Sequence, residues 1–208
     1  MKKVMLMLIC LPLAMATANA QEVKLGVKAG VNFAKLTGDA VEDADGRTGF
    51  HLGGVVEIPV SETFAVQPEV LYSQQGLQQE TDFFGDTLET KLKLDYINVP
   101  VMAKYYVTDG LSIEAGPQFG FNVKAETEIS VEGDSDGDEI EGTTDVSDSV
   151  SGFDLGLGGG LAYQLNNGVF FQARYMFGIS NVDEDDDEGF IGDNLTNSTL
   201  SFSAGIKF

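Results

Sequence analysis

Leu111-Ser112-Ile113-Glu114-Ala115-Gly116-Pro117-Gln118-Phe119-Gly120-Phe121-Asn122-Val123-Lys124 is the stretch that decides the fold class. Its odd positions are apolar and its even positions are polar or glycine. A two-residue period puts successive side chains on opposite faces of a β-strand, and the three-to-four spacing of a helix is absent. The same alternation recurs on both sides of it, at Leu25–Phe33, Phe50–Ile58, Phe64–Tyr72, Leu92–Tyr106, Phe153–Tyr163, Phe171–Ile179 and Leu200–Phe208. In the Leu92–Tyr106 run the phase changes near Tyr96-Ile97, which predicts a bulge there. The expectation is eight strands.

The connections alternate in length. Thr37–Thr48, Gly76–Thr90, Glu126–Asp148 and Ser180–Leu195 are long, whereas Val60–Thr63, Val107–Gly110 and Asn166–Gly168 are short. Asp109-Gly110 and Asn167-Gly168 carry the residues that hairpin turns demand. An even number of up-and-down strands brings both termini to the short-turn end. Short turns at one end and long loops at the other are the arrangement of outer-membrane barrels, whose termini and turns are periplasmic.

Which face is apolar separates the candidate architectures. Phe33, Phe50, Tyr72, Phe121, Phe153 and Phe177 fall near the long-loop ends of the runs. Phe64, Tyr105, Tyr163, Phe171 and Phe208 fall near the short-turn ends. Aromatics gathered at both ends of an apolar face mark a surface that meets lipid. The opposite face carries Lys28, Glu57, Glu69, Lys104, Glu114, Asp154 and Arg174. A periplasmic lipocalin-like barrel would need an apolar interior instead. The predicted fold is therefore an all-β, eight-stranded antiparallel up-and-down transmembrane β-barrel. Eight strands leave an interior just filled by side chains, so Glu69, Glu114 and Arg174 are expected to form an ion-pair network in the lumen.

Export is legible at the start of the chain. Lys2 and Lys3, the apolar run Val4–Leu13 and the small residues Ala18-Asn19-Ala20 read as a signal peptide over residues 1–20, with the barrel domain over 21–208. The single cysteine, Cys10, lies inside that segment, and Ile9 before it is bulky where a lipoprotein signal wants a small residue. The mature chain then has no thiol for disulfides or metal sites. The formal charge of −21 becomes two units more negative once Lys2 and Lys3 are removed, which argues against a nucleic-acid partner. A hydrophobic content of 43% with 14 Phe argues against disorder as the whole answer.

Leu94-Asp95-Tyr96-Ile97-Asn98-Val99-Pro100-Val101-Met102-Ala103-Lys104-Tyr105 resembles the PorT-like outer-membrane β-barrel family of the Bacteroidetes. Gly26–Asn32, Gln67–Gly76, Gly116-Pro117-Gln118 and the terminal Phe208 add to the likeness. The resemblance implies a barrel in the outer membrane of a Gram-negative cell, in contact with lipid and lipopolysaccharide. It also implies a C-terminal strand ending at Phe208 that barrel-assembly machinery would recognise. It implies little about activity.

Two constellations carry candidate chemistry. Asp134, Asp136 and Asp138 alternate in a run with no basic residue, and hard cations such as Ca²⁺ or Mg²⁺ want several oxygen ligands. Weak association of such a cation with the acidic loops is the functional reading; a solvated, self-repelling loop is the other. No other cofactor is expected. His51 is the only histidine, and Ser73, Ser151 and Asp154 show no catalytic spacing to it, so no enzyme is expected. The function this supports is a non-enzymatic structural or surface-interaction barrel, with an unidentified protein partner at its acidic extracellular loops. The alternative is an accessory role in secretion or transport across the outer membrane.

Overall fold

The alternating residues form nine strands in the computed structural model, which describes residues 22–37, 45–83, 86–132, 139–182 and 195–208. The strands are β1 Lys24–Thr37, β2 Asp45–Pro59, β3 Phe64–Phe83, β4 Asp86–Tyr106, β5 Leu111–Glu132, β6 Glu139–Asp145, β7 Phe153–Gln164, β8 Val169–Gly178 and β9 Thr196–Lys207. The segment 1–20, with Cys10, lies outside the described residues. All pairings are antiparallel, and β1 pairs with both β2 and β9 while β4 pairs with both β3 and β5. Eight strands thus close into a ring. The ninth, β6, pairs only with the far end of β5, in register from Glu126↔Asp145 to Glu132↔Glu139.

Two of the expected long connections are therefore largely strand. Residues 76–83 and 86–90 continue the β3–β4 pairing as far as Phe83↔Asp86, and residues 126–132 pair with 139–145 between β5 and β6. Ladder hydrogen bonds satisfy the backbone there without an apolar face to announce the strand, which is why the loss of alternation at Gly76 and Glu126 reads as a loop.

At the opposite end the turns are tight. Gly168 has φ +86°, a Cβ there would lie 2.3 Å from the Lys207 carbonyl oxygen, and its amide donates to Leu165 O at 3.0 Å. Only glycine meets both conditions. The start of β1 and the end of β9 meet on this side, where Phe208 N donates to Leu25 O at 2.8 Å.

The ring is turned inside out relative to a water-soluble barrel. Leu25, Val27, Leu52, Val70, Ile113, Leu161 and their like are about half exposed on the outer face, whereas Lys28, Glu57, Glu69, Lys104, Glu114 and Arg174 are 1–3% exposed within. Beyond the lipid-facing band the pattern inverts. Leu36, Leu77, Leu92, Leu94, Tyr96, Ala125, Val150, Val182 and Leu195 form an apolar cluster inside the long-hairpin end.

A register shift falls at Asp95/Tyr96, where the bulge was expected, but β4 does not carry the extra residue. Leu92, Leu94, Tyr96, Asn98, Pro100, Met102 and Lys104 all point inward in one unbroken phase. What changes near Tyr96 is the environment: inward positions turn from polar to apolar as the strand leaves the lipid-facing band. The extra residue sits opposite, in β5, where Asp95 pairs with Lys124 and Tyr96 with Asn122, leaving Val123 unpaired.

Candidate functional site

The lumen is the largest concentration of polar chemistry among the described residues, and alternation alone puts it there. Each strand sends every second side chain inward, and charges so placed must find partners because little water reaches them. They do so in three tiers.

Nearest the short turns, Glu57 accepts from Lys104 Nζ at 3.0 Å, Lys207 Nζ at 2.5 Å and Tyr106 Oη at 2.7 Å. In the middle tier, Arg174 spans two carboxylates. Its Nη1 and Nη2 donate to Glu69 at 2.9 and 2.7 Å, and its Nε donates to Glu114 at 2.7 Å. Lys28 completes the tier, 2.8 Å from Glu69, and donates to Gln172 Oε1 at 2.7 Å. Gln172 Nε2 in turn donates to both oxygens of Glu114. The structure thus brings Glu69, Glu114 and Arg174 together. Lys28, Gln172 and Gln67 belong to the same network, and their inward parity was its only sequence signal.

The third tier centres on His51. Asn32 Nδ2 donates to Ser73 Oγ at 2.9 Å and to Gln74 O at 3.1 Å, so its Oδ1 is the acceptor facing His51 Nδ1, 2.8 Å away. His51 Nδ1 therefore carries the proton, and Nε2 accepts from Ser203 Oγ at 2.8 Å. Hydroxyl, imidazole and amide oxygen line up as in a nucleophile relay. Yet Ser203 is 6% exposed inside the ring. The lumen cavity lined by His51, Asn32, Asn98 and Arg174 has a volume of about 20 Å³, room for roughly one water and no acyl group. Ser73 bonds Asn32 rather than His51, and Asp154 bonds Ser180.

Above the third tier the apolar cluster closes the lumen. Below the first, a depression of about 510 Å³ lined by Lys24, Glu57, Ser61, Tyr106 and Asp109 opens to the short-turn side.

The protruding β3–β4–β5 sheet carries a charge ladder on its outer face. Lys91 lies opposite Glu128, Lys93 opposite Glu126 and Asp95 opposite Lys124. Lys93 bonds Glu128, Lys124 lies 2.9 Å from Glu126 and Lys91 lies 2.6 Å from Glu89. The hydrogen bond from Lys93 holds the Glu128 carboxyl below its ordinary pKa. Such exposed pairs contribute about 0.2–1 kcal/mol each, so they shape the surface more than the stability. The acid of residues 126–128 is thus partly neutralised by lysines from the neighbouring strand, which a linear reading of the segment cannot show. Asp134, Asp136 and Asp138 lie outside the described residues.

Comparison with known proteins agrees with this architecture. A family model described as outer membrane protein beta-barrel domain matches residues 19–184. No curated protein matches. Among solved structures, Neisserial surface protein A has a TM-score of 0.54 at 16% identity, with 90% of this chain and 100% of that one covered. Ail, the attachment invasion locus protein of Yersinia pestis, solved in complex with the heparin analogue sucrose octasulfate, has a TM-score of 0.50 at 14% identity, with 90% and 100% covered. At these identities the likeness shows the fold.

Proposed function

The chain belongs to the outer membrane protein beta-barrel domain family, and from that membership we propose that it is a non-enzymatic surface-interaction barrel. As a member it sits in the outer membrane in contact with lipid. The observation that carries the interaction reading is the sheet that β3, β4 and β5 extend past the lipid-facing band, joined by β6 and edged with carboxylates. A scaffold that served only to fill the membrane would have no use for strands of 20 to 22 residues. In this reading the long-hairpin end faces the cell exterior and both termini are periplasmic. Phe208, 76% exposed at the end of β9, is the residue offered to barrel-assembly machinery. The Leu94–Tyr105 segment supports placement in the PorT-like branch, and the acidic tips, including Asp134, Asp136 and Asp138, would carry Ca²⁺ or Mg²⁺ between themselves and lipopolysaccharide.

The test is adhesion. Cells displaying the chain with residues 127–144 replaced by a two-residue turn are expected to lose binding to host-cell monolayers and to neighbouring cells, while the barrel still assembles. Adhesion equal to that of the full chain would refute the interaction reading.

Two further outcomes bear on it. Leu157→Arg, on the lipid-facing side of β7, is expected to destabilise the barrel in vesicles by about 2–4 kcal/mol, since a charge near mid-bilayer is expensive. On a water-facing surface the same change would be close to neutral, so unaltered urea unfolding would contradict the lipid assignment. In planar bilayers the intact barrel is expected to show no conductance steps, because the tiers and the apolar cap occlude the lumen. Steady single-channel openings would favour the secretion or transport reading instead.

A further inference from the structure

Asp154 is a carboxylate enclosed by the ring with no cation to meet it. It lies on the inner face of β7, 7% exposed, and accepts a hydrogen bond from Ser180 Oγ at 2.8 Å, with the Leu155 amide close by. No lysine or arginine pairs with it among the described residues. The internal segments outside that description, 38–44, 84–85, 133–138 and 183–194, contain no Lys, Arg or His that could do so. Nor does the lumen supply compensation at a distance. Glu69 and Glu114 balance Lys28 and Arg174, so the surplus positive charge is at Glu57, which faces both Lys104 and Lys207. Asp154 is level with Asn98 through Gly120, and Asn98 is six residues from Lys104 along β4. That spacing is about 20 Å at 3.3 Å per residue, too far for a counter-ion.

Two oxygens of neighbouring residues are short of partners. Asn98 Oδ1 is enclosed without a hydrogen bond and Tyr96 Oη has only Asn122 within reach, on residues 3% and 1% exposed. Gly120 pairs with both Asn98 and Asp154, and a Cβ on it would lie 3.0 Å from Asn98 Oδ1 and 3.2 Å from Asp154 Cβ. With no side chain on Gly120, the two come close to one another across it. Asp154 is the charged group that acts on the Tyr96 phenol, with Asn122 beside it. Unpaired buried polar atoms are costly, and such oxygens beside a carboxylate that lacks a counter-ion are better explained by a shared ligand than by separate losses.

We propose that Asp154, Asn98 and Tyr96 supply the oxygen shell of a buried metal-cation site at the long-hairpin end of the lumen. The chemistry is that of a hard cation of Na⁺ or Ca²⁺ size, which takes carboxylate, amide and hydroxyl oxygens together. This site is separate from the acidic tips and stands whether or not the protruding sheet binds a partner.

Thermal unfolding of the refolded full barrel in NaCl, in CaCl₂ and in choline chloride at equal ionic strength tests it, choline being too large to enter. At saturating metal, near a hundred times the dissociation constant, the melting temperature is expected to exceed that in choline by about 5–10 °C. Whichever salt produces the rise identifies the ion. Asp154→Asn is expected to abolish the difference while leaving every surface carboxylate in place. An equal metal dependence in Asp154→Asn would assign the effect to the surface acids and overturn the site. No difference in the unmodified chain would also overturn it, as expected if the Asn98 amide were turned to donate to Asp154. Should Asp154→Asn not fold, Tyr96→Phe decides by the same criterion: a reduced metal response supports the site, and an unchanged one refutes it.

Discussion

Arg174→Ala is expected to destabilise the folded barrel by about 3–5 kcal/mol, the cost of removing one partner from a buried ion network. Arg174 makes three charge-assisted hydrogen bonds, two to Glu69 and one to Glu114, from a side chain 3% exposed. Without it, Glu69 keeps Lys28, but Glu114 is left with the neutral Gln172. The penalty is mostly that of stranding Glu114, and this makes a second outcome diagnostic. Arg174→Met combined with Glu114→Gln removes the stranded charge, leaves the Lys28–Glu69 pair in place and is expected to recover a large part of the loss. Urea unfolding in lipid vesicles reads both. Unchanged unfolding of Arg174→Ala would show that the network does not hold the lumen together.

Leu94→Ala is expected to cost about 2–5 kcal/mol, through lost transfer energy and the cavity left in a cluster that cannot fully collapse. Leu94 is fully buried on the inner face of β4 and belongs to the apolar cap. The same truncation at Val99, which faces lipid from the same strand, leaves no internal cavity and is expected to cost distinctly less. The pair of variants tests the inversion of the pattern along β4. Equal effects would mean that Leu94 faces outward and that the phase change near Tyr96 is a bulge after all. Loosening the cap should also raise proteolytic nicking of the β5–β6 hairpin, whose base packs on it through Ala125 and Val146.

What could be read in one dimension follows from the period of the strand. The positions Leu111 to Lys124 specify which residues face lipid and which face inward, because successive side chains leave a strand on opposite sides whatever the register. That rule placed Glu69, Glu114 and Arg174 indoors, but it could not say which of them meet. Glu69 lies 105 residues from Arg174, and their contact is set by the closure of β1 on β9 and the tilt of the ring. The Ser203–His51–Asn32 line escaped notice for the same reason, since Ser203 is 152 residues from His51 and no spacing connects them. Alternation also fails where both faces of a hairpin are wet or where the inner face turns apolar. The far ends of β3, β4 and β5 therefore read as loop.

The amino-acid sequence by itself determined the strand class, the number of strands in the ring, the short-turn end and the sign of each face. Local periodicity, turn residues and the segregation of charge from aromatic are all contained in a few neighbouring residues. Only the tertiary structure decided that an apolar cluster fills the inner face at the long-hairpin end, that Lys93 of β4 meets Glu128 of β5, and that Asn98 and Asp154 flank Gly120 at one level. Those facts depend on register between strands, and register is fixed when the ring closes rather than by any single strand.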